Sequence, residues 1–323
     1  MIDRPMTRRG LMTGAAVLGA TSALPGFGIG QAAADGYPAQ DIRWIIYQSP
    51  GGLIDGSTRA IQPYLKQEGF ASQIEYVRGA SGRIARAQLF RSPPDGYTIM
   101  TEASPEEVIG EIIYNAEYKV VEFQPVFGWF VNAFNICVLK DSPIKTFADF
   151  VKAAKSRKVT IGTLGKGGAS HLQLAILRTK LGLDLQFVHF DGGAPAYTAL
   201  QGGHIETAVG ASSSISWGDT VNFLVVFRDG RDPAIPDAPT TGELGYDITP
   251  INEVIYANAG PGVPADRIQK LAGAFAKAFQ NPEHLKQQKN LGVYAKPMTS
   301  ADLRAIVQKM YGLVQENKAE LSG

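Results

Sequence analysis

From residue 42 onward, short apolar runs alternate with longer stretches in which apolar positions recur at helical spacing. The runs 42–47, 73–77, 97–100, 134–139, 159–163, 185–189, 207–210 and 223–227 are rich in Val, Ile and Phe and are bounded by Gly, Pro or Asp. That pattern predicts strands. Between and after them, 57–67, 82–91, 105–114, 146–155, 170–181, 194–202 and 264–280 carry the spacing of amphipathic helices, and Leu303, Ile306, Val307, Met310, Leu313 and Val314 form one more apolar helical face. Thr146 three residues ahead of Asp149 reads as a capping box, and Pro264 sits where a first turn tolerates proline. Strand and helix in alternation predict an α/β fold built on parallel sheets.

In such sheets ligands sit beyond the carboxyl ends of strands, where helix N-termini present N–H groups without partners. Three strand-to-helix loops fit that position. The first, Gln48-Ser-Pro-Gly-Gly-Leu-Ile-Asp55, either cradles an anion on bare backbone or is a tight turn in which Asp55 caps the helix. The second, Leu164-Gly-Lys-Gly-Gly-Ala169, follows the strand ending at Thr163 and leads into Ser170-His171. It is not a nucleotide P-loop, because the spacing of its glycines is wrong and no hydroxyl follows Lys166. The third is Phe190-Asp-Gly-Gly-Ala-Pro-Ala196.

Composition adds bounds. With 323 residues, 45% of them hydrophobic, the chain can bury the cores of two lobes. The formal charge is +1; the first 34 residues hold Arg4, Arg8 and Arg9 against Asp3, so the remainder is near neutrality and nothing in bulk charge points to nucleic acid or a membrane surface. Arg8-Arg9, the apolar, small-residue stretch from Leu11 to about Leu24 and Ala32-Ala33-Ala34 read as an export signal over 1–34, twin-arginine-like, and place the mature protein in the periplasm. Cys137 lies in an apolar run and reads as a small buried hydrophobe, not a nucleophile.

The ordered set Ser49-Pro-Gly-Gly-Leu-Ile-Asp55, Val77-Arg-Gly-Ala-Ser-Gly82, Ser92-Pro-Pro-Asp-Gly-Tyr-Thr98, Ser142 to Asp149, Gly162 to Leu172, Phe190 to Glu206, Ile235 to Thr240 and Gly260 to Pro264 resembles the tripartite tricarboxylate transporter substrate-binding proteins, the Bug family. The resemblance implies an α/β two-domain periplasmic binding protein of the Venus-flytrap, type II-like kind with two chain crossovers. Lobe 1 would comprise 37–138 and 251–323, lobe 2 residues 139–250. It further implies capture of a small carboxylate in the cleft, handed to integral-membrane permease subunits by a monomer without cofactor or metal. Carried onto this chain, the ligand contacts fall at Gln48, Ser49, Gly51, Gly52 and Asp55 from one lobe. Those from the other are Thr163, Lys166, Gly168, Ala169, Ser170 and His171, with Gly192, Gly193 and Ala194 as an adjoining wall.

The chain departs from the family pattern at Gln48, Lys166, Asp191 and Gly210, and in the unusual Ser212 to Trp217 segment; Gln48 and Trp217 would suit an aromatic or larger ligand. The competing classes are a sensory receptor feeding a two-component kinase and an exported hydrolase. His171, His189, His204 and His284 form no HExxH or close pair in sequence, and there is no G-x-S-x-G elbow, so a binding protein is favoured over an enzyme.

Overall fold

The computed structural model describes residues 36–322, less the side chains of Ser212, Ser213 and Ile215; the export signal expected over 1–34 lies outside them. The chain opens with β1 (Ile42–Ile46), α1 (Leu53–Gln67), β2 (Ser72–Tyr76), α2 (Arg83–Phe90), β3 (Thr98–Ser104), α3 (Glu106–Tyr114) and β4 (Gln124–Asn132). After Ala133 it enters a second sheet with β5 (Phe134–Leu139), α4 (Phe147–Ser156), β6 (Val159–Thr163), α5 (Ala169–Leu181), β7 (Leu185–His189), α6 (Gly193–Gln201), β8 (Thr207–Ala211) and β9 (Val221–Phe227). It then returns through β10 (Glu253–Ala259), α7 (Ala265–Phe279), α8 (Pro282–Asn290), β11 (Tyr294–Thr299), α9 (Ser300–Glu316) and α10 (Lys318–Ser322).

The first sheet runs β11-β4-β10-β3-β1-β2 and the second β7-β6-β8-β5-β9. Both are mixed, where parallel sheets were expected. β1 pairs in parallel with β2 and β3, but β10 enters antiparallel between β3 and β4. In the second sheet β6 is parallel to β7 and β8, while β5 lies antiparallel between β8 and β9. The reversed strands are β5 and β10, which open each sheet after a crossing, and the edge strand β11, antiparallel to β4; helical spacing cannot reveal them. On this strand membership we propose the crossings at Ala133 and between Phe227 and Glu253.

Three strands and one helix escaped the pattern, each for a physical reason. β4 and β10 are buried on both faces and so lack alternation. β11 is an exposed edge strand carrying Pro297 at an irregularity of its pairing with β4. The short α8 is started by Asn281, whose side chain accepts from the Glu283 N–H, with Pro282 in the first turn. The expected box at Thr146 and Asp149 is formed, and Thr299 with Asp302 forms another ahead of α9.

The core of the first domain is aromatic. Phe275 of α7 stacks on Trp129 at 5.8 Å and meets the edge of Trp44 at 5.4 Å, and the Trp44 indole donates to Thr101 Oγ1 at 2.8 Å. Such pairs contribute roughly 0.5–1.5 kcal/mol beyond burial. Gly128 on β4 is required by close approach: a Cβ there would stand 2.7 Å from Met298 Cε.

One ion pair is wholly buried. Arg86 and Glu102 expose none of their side chains; Arg86 Nε lies 2.9 and 3.0 Å from the two carboxylate oxygens and Nη2 lies 2.5 Å from Oε1. The same guanidinium donates from Nη1 to the Ser81 carbonyl at 2.9 Å and lies over the Tyr47 ring at 4.9 Å. Breaking a buried pair from one side leaves an uncompensated charge and costs about 3–5 kcal/mol. Arg86→Met is therefore expected to lose about that much unfolding free energy by urea titration at neutral pH, and Arg86→Met/Glu102→Leu distinctly less; a single-variant loss under ~1 kcal/mol would contradict this role.

Candidate functional site: a cavity between the two sheets

A cavity of about 320 Å³ lies between the two domains. From the first domain it is lined by Tyr47 and Gln48 after β1, by Gly79 and Ser81 to Arg83 ahead of α2, by Glu106, Ile109, Gly110 and Tyr114 along α3, and by Glu253. The second contributes Phe134, the whole Leu164 to Ser170 loop and Asp191.

The glycine-rich loop is tied from within. Ser170 Oγ accepts from the Leu164 N–H at 3.0 Å, and His171 Nδ1 accepts from the Gly167 N–H at 3.0 Å. Thr163 Oγ1 meets His189 Nδ1 at 2.8 Å. Gly167 has φ +68°, and the Tyr114 hydroxyl of the opposite domain stands 2.8 Å from where a Cβ would be. Glycine is thus needed for both backbone and approach. His171 is buried beside the edges of Phe187 and His189; that burial, then the nearby His189, Arg178 and Lys166, pulls its pKa down to about 4. The neutral ring is the form that can accept from Gly167.

The first loop resolves differently. Asp55 is buried and accepts from the Gly51 N–H at 2.7 Å, from Tyr76 at 2.6 Å and from Arg59 Nε at 2.9 Å. Burial works against its ionised form, but those bonds outweigh it and hold the carboxyl below its ordinary pKa. Asp55 therefore closes the turn, with both carboxylate oxygens engaged within the first domain, and it does not line the cavity. Ser49, Gly51 and Gly52 stay off the cavity lining, and only Gln48 reaches it. In the third loop Gly192, Gly193 and Ala194 also stay off the lining while Asp191 joins it. Trp217 stacks on Tyr197 at 4.6 Å and packs near Gly193, so its ring serves the second domain and not the cavity. Gly210 has no room for a side chain: a Cβ would lie 2.3 Å from Ser214 Oγ and 2.5 Å from Asn135 Oδ1.

Of the residues expected from sequence, the structure gathers Gln48, Lys166, Gly168, Ala169 and Ser170 on the cavity, and leaves Thr163 and His171 behind it as supports of the loop. It adds groups that sequence reasoning did not select. The turn Gly79-Ala-Ser-Gly82 has four successive positive φ values, 120°, 50°, 52° and 85°. For Ala80 and Ser81 that conformation costs roughly 1–2 kcal/mol each, a strain of the kind kept at binding sites. Arg86 holds it through the Ser81 carbonyl. Next to it the Arg83 guanidinium lies 4.2 Å over the Tyr114 ring. The Arg-Gly-Ala-Ser-Gly-Arg run between strand and helix is the available sequence signal.

The acidic groups are the larger surprise. Glu106 Oε1 accepts from the Ala169 N–H at 3.2 Å, across the two domains, so the chain's own carboxyl occupies the anion seat expected at the start of α5. Burial, then Glu253, then Glu107 push the Glu106 pKa well above the carboxylate range, against the pull of the Ala169 N–H. Glu253 is raised by burial, opposed by the Asn132 amide that donates to its Oε2 at 2.9 Å.

Residues 59–316 match the family described as "Tripartite tricarboxylate transporter family receptor". The chain belongs to this family of receptors. Among its relatives is the "UPF0065 protein in gbd 5'region" of Cupriavidus necator, 28% identical over 298 residues, which are 86% of this chain and 87% of that one. A TctC solute-binding protein from Polaromonas, solved without ligand, superposes with a TM-score of 0.76 at 23% identity over 87% of this chain and 99% of that one. MatC from Rhodopseudomonas palustris, solved with bound malate, gives 0.72 at 21% identity over 88% of this chain and all of that one. The family receptors are α/β two-domain periplasmic binding proteins, not enzymes, and the two mixed sheets here are that fold. Among the described residues no helix is long and apolar enough to cross a membrane.

The His171 pKa of about 4 fixes a sign for pH dependence. The folded value lies below the ordinary 6.5, so the unfolded chain takes up the proton first and stability falls as pH drops from about 6.5 to about 4. The contribution is up to about 3 kcal/mol. His171→Asn keeps an acceptor but not the titration, and the drop over that window, read from denaturant unfolding at successive pH values, is expected to shrink; an unchanged slope would contradict the assignment.

Proposed function

We propose that this receptor captures a small organic or aromatic carboxylate in the cavity between its domains and delivers it to membrane permease subunits, working as a monomer in the periplasm. The observation that carries the reading is the strained turn from Gly79 to Gly82 on the cavity wall, leading into α2 at Arg83, with Lys166 on the lining contributed by the other domain. The first N–H groups of a helix lack intrahelical partners and carry partial positive charge, which suits a carboxylate. A guanidinium adds paired donors in a fixed plane. Malate in the R. palustris relative supports the same ligand chemistry.

Ligand contacts are proposed at Gln48, Lys166, Gly168 and Ser170, joined by Tyr47, Ser81, Gly82 and Arg83, with Ala169, whose N–H is taken by Glu106, offering only its methyl group to the cavity. Because the walls come from both domains, a bound ligand favours the closed arrangement by contacts the open one lacks, and a closed receptor is the form for a permease to recognise.

The test is a thermal-shift screen of the purified protein against mono-, di- and aromatic carboxylates, sugars and neutral amides. Ligand at 100 times its Kd stabilises by about 2.7 kcal/mol, a readily measured rise in Tm. Carboxylates are expected to give the rise, and Arg83→Ala to weaken the best of them about tenfold or more. A rise with sugars alone, or an Arg83→Ala variant with undiminished affinity, would contradict the proposed seat.

A further inference from the structure

The proposed carboxylate contacts leave the other end of the cavity unexplained. Glu106 and Glu253 line it from different elements, α3 and β10, and among the described residues neither forms an ion pair. Glu106 Oε2 is fully buried with no hydrogen-bond partner. An unpartnered buried carboxyl oxygen costs roughly 1–3 kcal/mol or more. A fold that keeps such a group beside a cavity, with a second carboxyl at Glu253 that has no ion-pair partner among the described residues, leaves it for something that enters.

The acidic and basic groups stand at different places along the lining. Glu106 opens α3 and Tyr114, under the Arg83 guanidinium, closes it. Eight residues of helix set their backbones about 12 Å apart along the axis, and their side chains reach successive positions of the glycine-rich loop, Tyr114 at Gly167 and Glu106 at Gly168 and Ala169. The Gly167 backbone packs against Tyr114, which puts Lys166 toward the basic end. Ionised throughout, the lining would hold Glu106, Asp191 and Glu253 against Arg83 and Lys166. A dianion would have to lie its second charge along the acidic end, at a cost in a partly desolvated site.

Resting on the carboxylate reading above, we infer that the ligand carries a cationic nitrogen as well as its carboxylate: the nitrogen is received by Glu106 and Glu253, and the carboxylate by Arg83, Lys166 and the strained turn. The groups facing the acidic pair are Tyr47, Glu107, the Asn132 amide and the Ala169 N–H, with Asp191 elsewhere on the same lining. None of them is a cation. The ligand's nitrogen supplies the missing charge. With both carboxyls held above their ordinary pKa in the free protein, an entering cation lowers them again and displaces bound protons. Binding is thus coupled to proton release and strengthens as pH rises toward neutrality.

The test is titration calorimetry with paired probes that keep one carboxylate and exchange the other for an ammonium: succinate against β-alanine, glutarate against 4-aminobutyrate, adipate against 6-aminohexanoate, terephthalate against 4-(aminomethyl)benzoate. In the tightest-binding pair, which decides the matter, the amino member is expected to bind tenfold or more tightly than its dicarboxylate, with heats in two buffers of different ionisation enthalpy showing proton release. Glu106→Gln and Glu253→Gln should each abolish that preference while leaving the Tm of the free protein equal or higher. In that pair a dicarboxylate that binds as tightly as its amino partner or tighter, or proton uptake, overturns the inference and leaves the carboxylate reading standing. No binding in any pair overturns both. The wild-type pairs and buffers decide the matter even where a variant folds poorly.

Discussion

The structure depends on how one buried guanidinium is shared. Among the described residues Arg86 is the only lysine or arginine in the buried set, and carboxyls cluster around it: Glu102 paired to it, Glu107 nearby, and Glu106 and Glu253 beyond. Glu102 takes the full ion pair. Glu107, buried and repelled by Glu102, is pushed up to about 8 and holds its proton at neutral pH. The pair at the cavity is left without a cation of its own. Arg86 simultaneously fixes Ser81 and Tyr47, so the charge that stabilises the first domain also shapes its cavity wall.

The second domain builds its wall differently, by tying a loop shut. Ser170, His171 and Thr163 direct their polar atoms into the loop and the strand behind it, so a glycine-rich segment keeps one shape without filling the cavity with side chains. At the cavity the domains meet through backbone and small contacts, the Ala169 N–H on Glu106 and the Tyr114 hydroxyl against Gly167; away from it Gln173 Oε1 accepts from the Ile251 N–H at 2.6 Å on the returning chain, Arg178 of α5 pairs with Glu320 of α10, and Tyr294 of β11 donates to Asp232.

Much of the fold could be read from the chain. The strands at 134–139, 159–163 and 185–189 fall where alternation with Gly, Pro and Asp placed them. The mixed character of the sheets could not be read, because pairing direction depends on which strands the chain inserts after crossing, as with β10 between β3 and β4. For the site, backbone-rich loops were visible but not the direction in which their polar groups point. In the first loop Asp55 serves the turn; in the second, Lys166 to Ser170 do face the cavity. Glu106 and Glu253 stood out least. They are far apart in sequence, and neither lies in a motif; only the folded chain brings two uncompensated carboxyls to one space.

The account's central claim is that ligand sits between α3 and the glycine-rich loop, spanning the Arg83 and Glu106 ends. A crystal structure of the protein with the tightest-binding amino carboxylate measures this directly. The account requires density in that cavity, with the carboxylate against the Gly79 to Arg83 turn and nitrogen within hydrogen-bond distance of Glu106 or Glu253. Ligand seated instead on the Ser49 to Gly52 turn or against Gly192 to Ala194, with the two glutamates untouched, would contradict it.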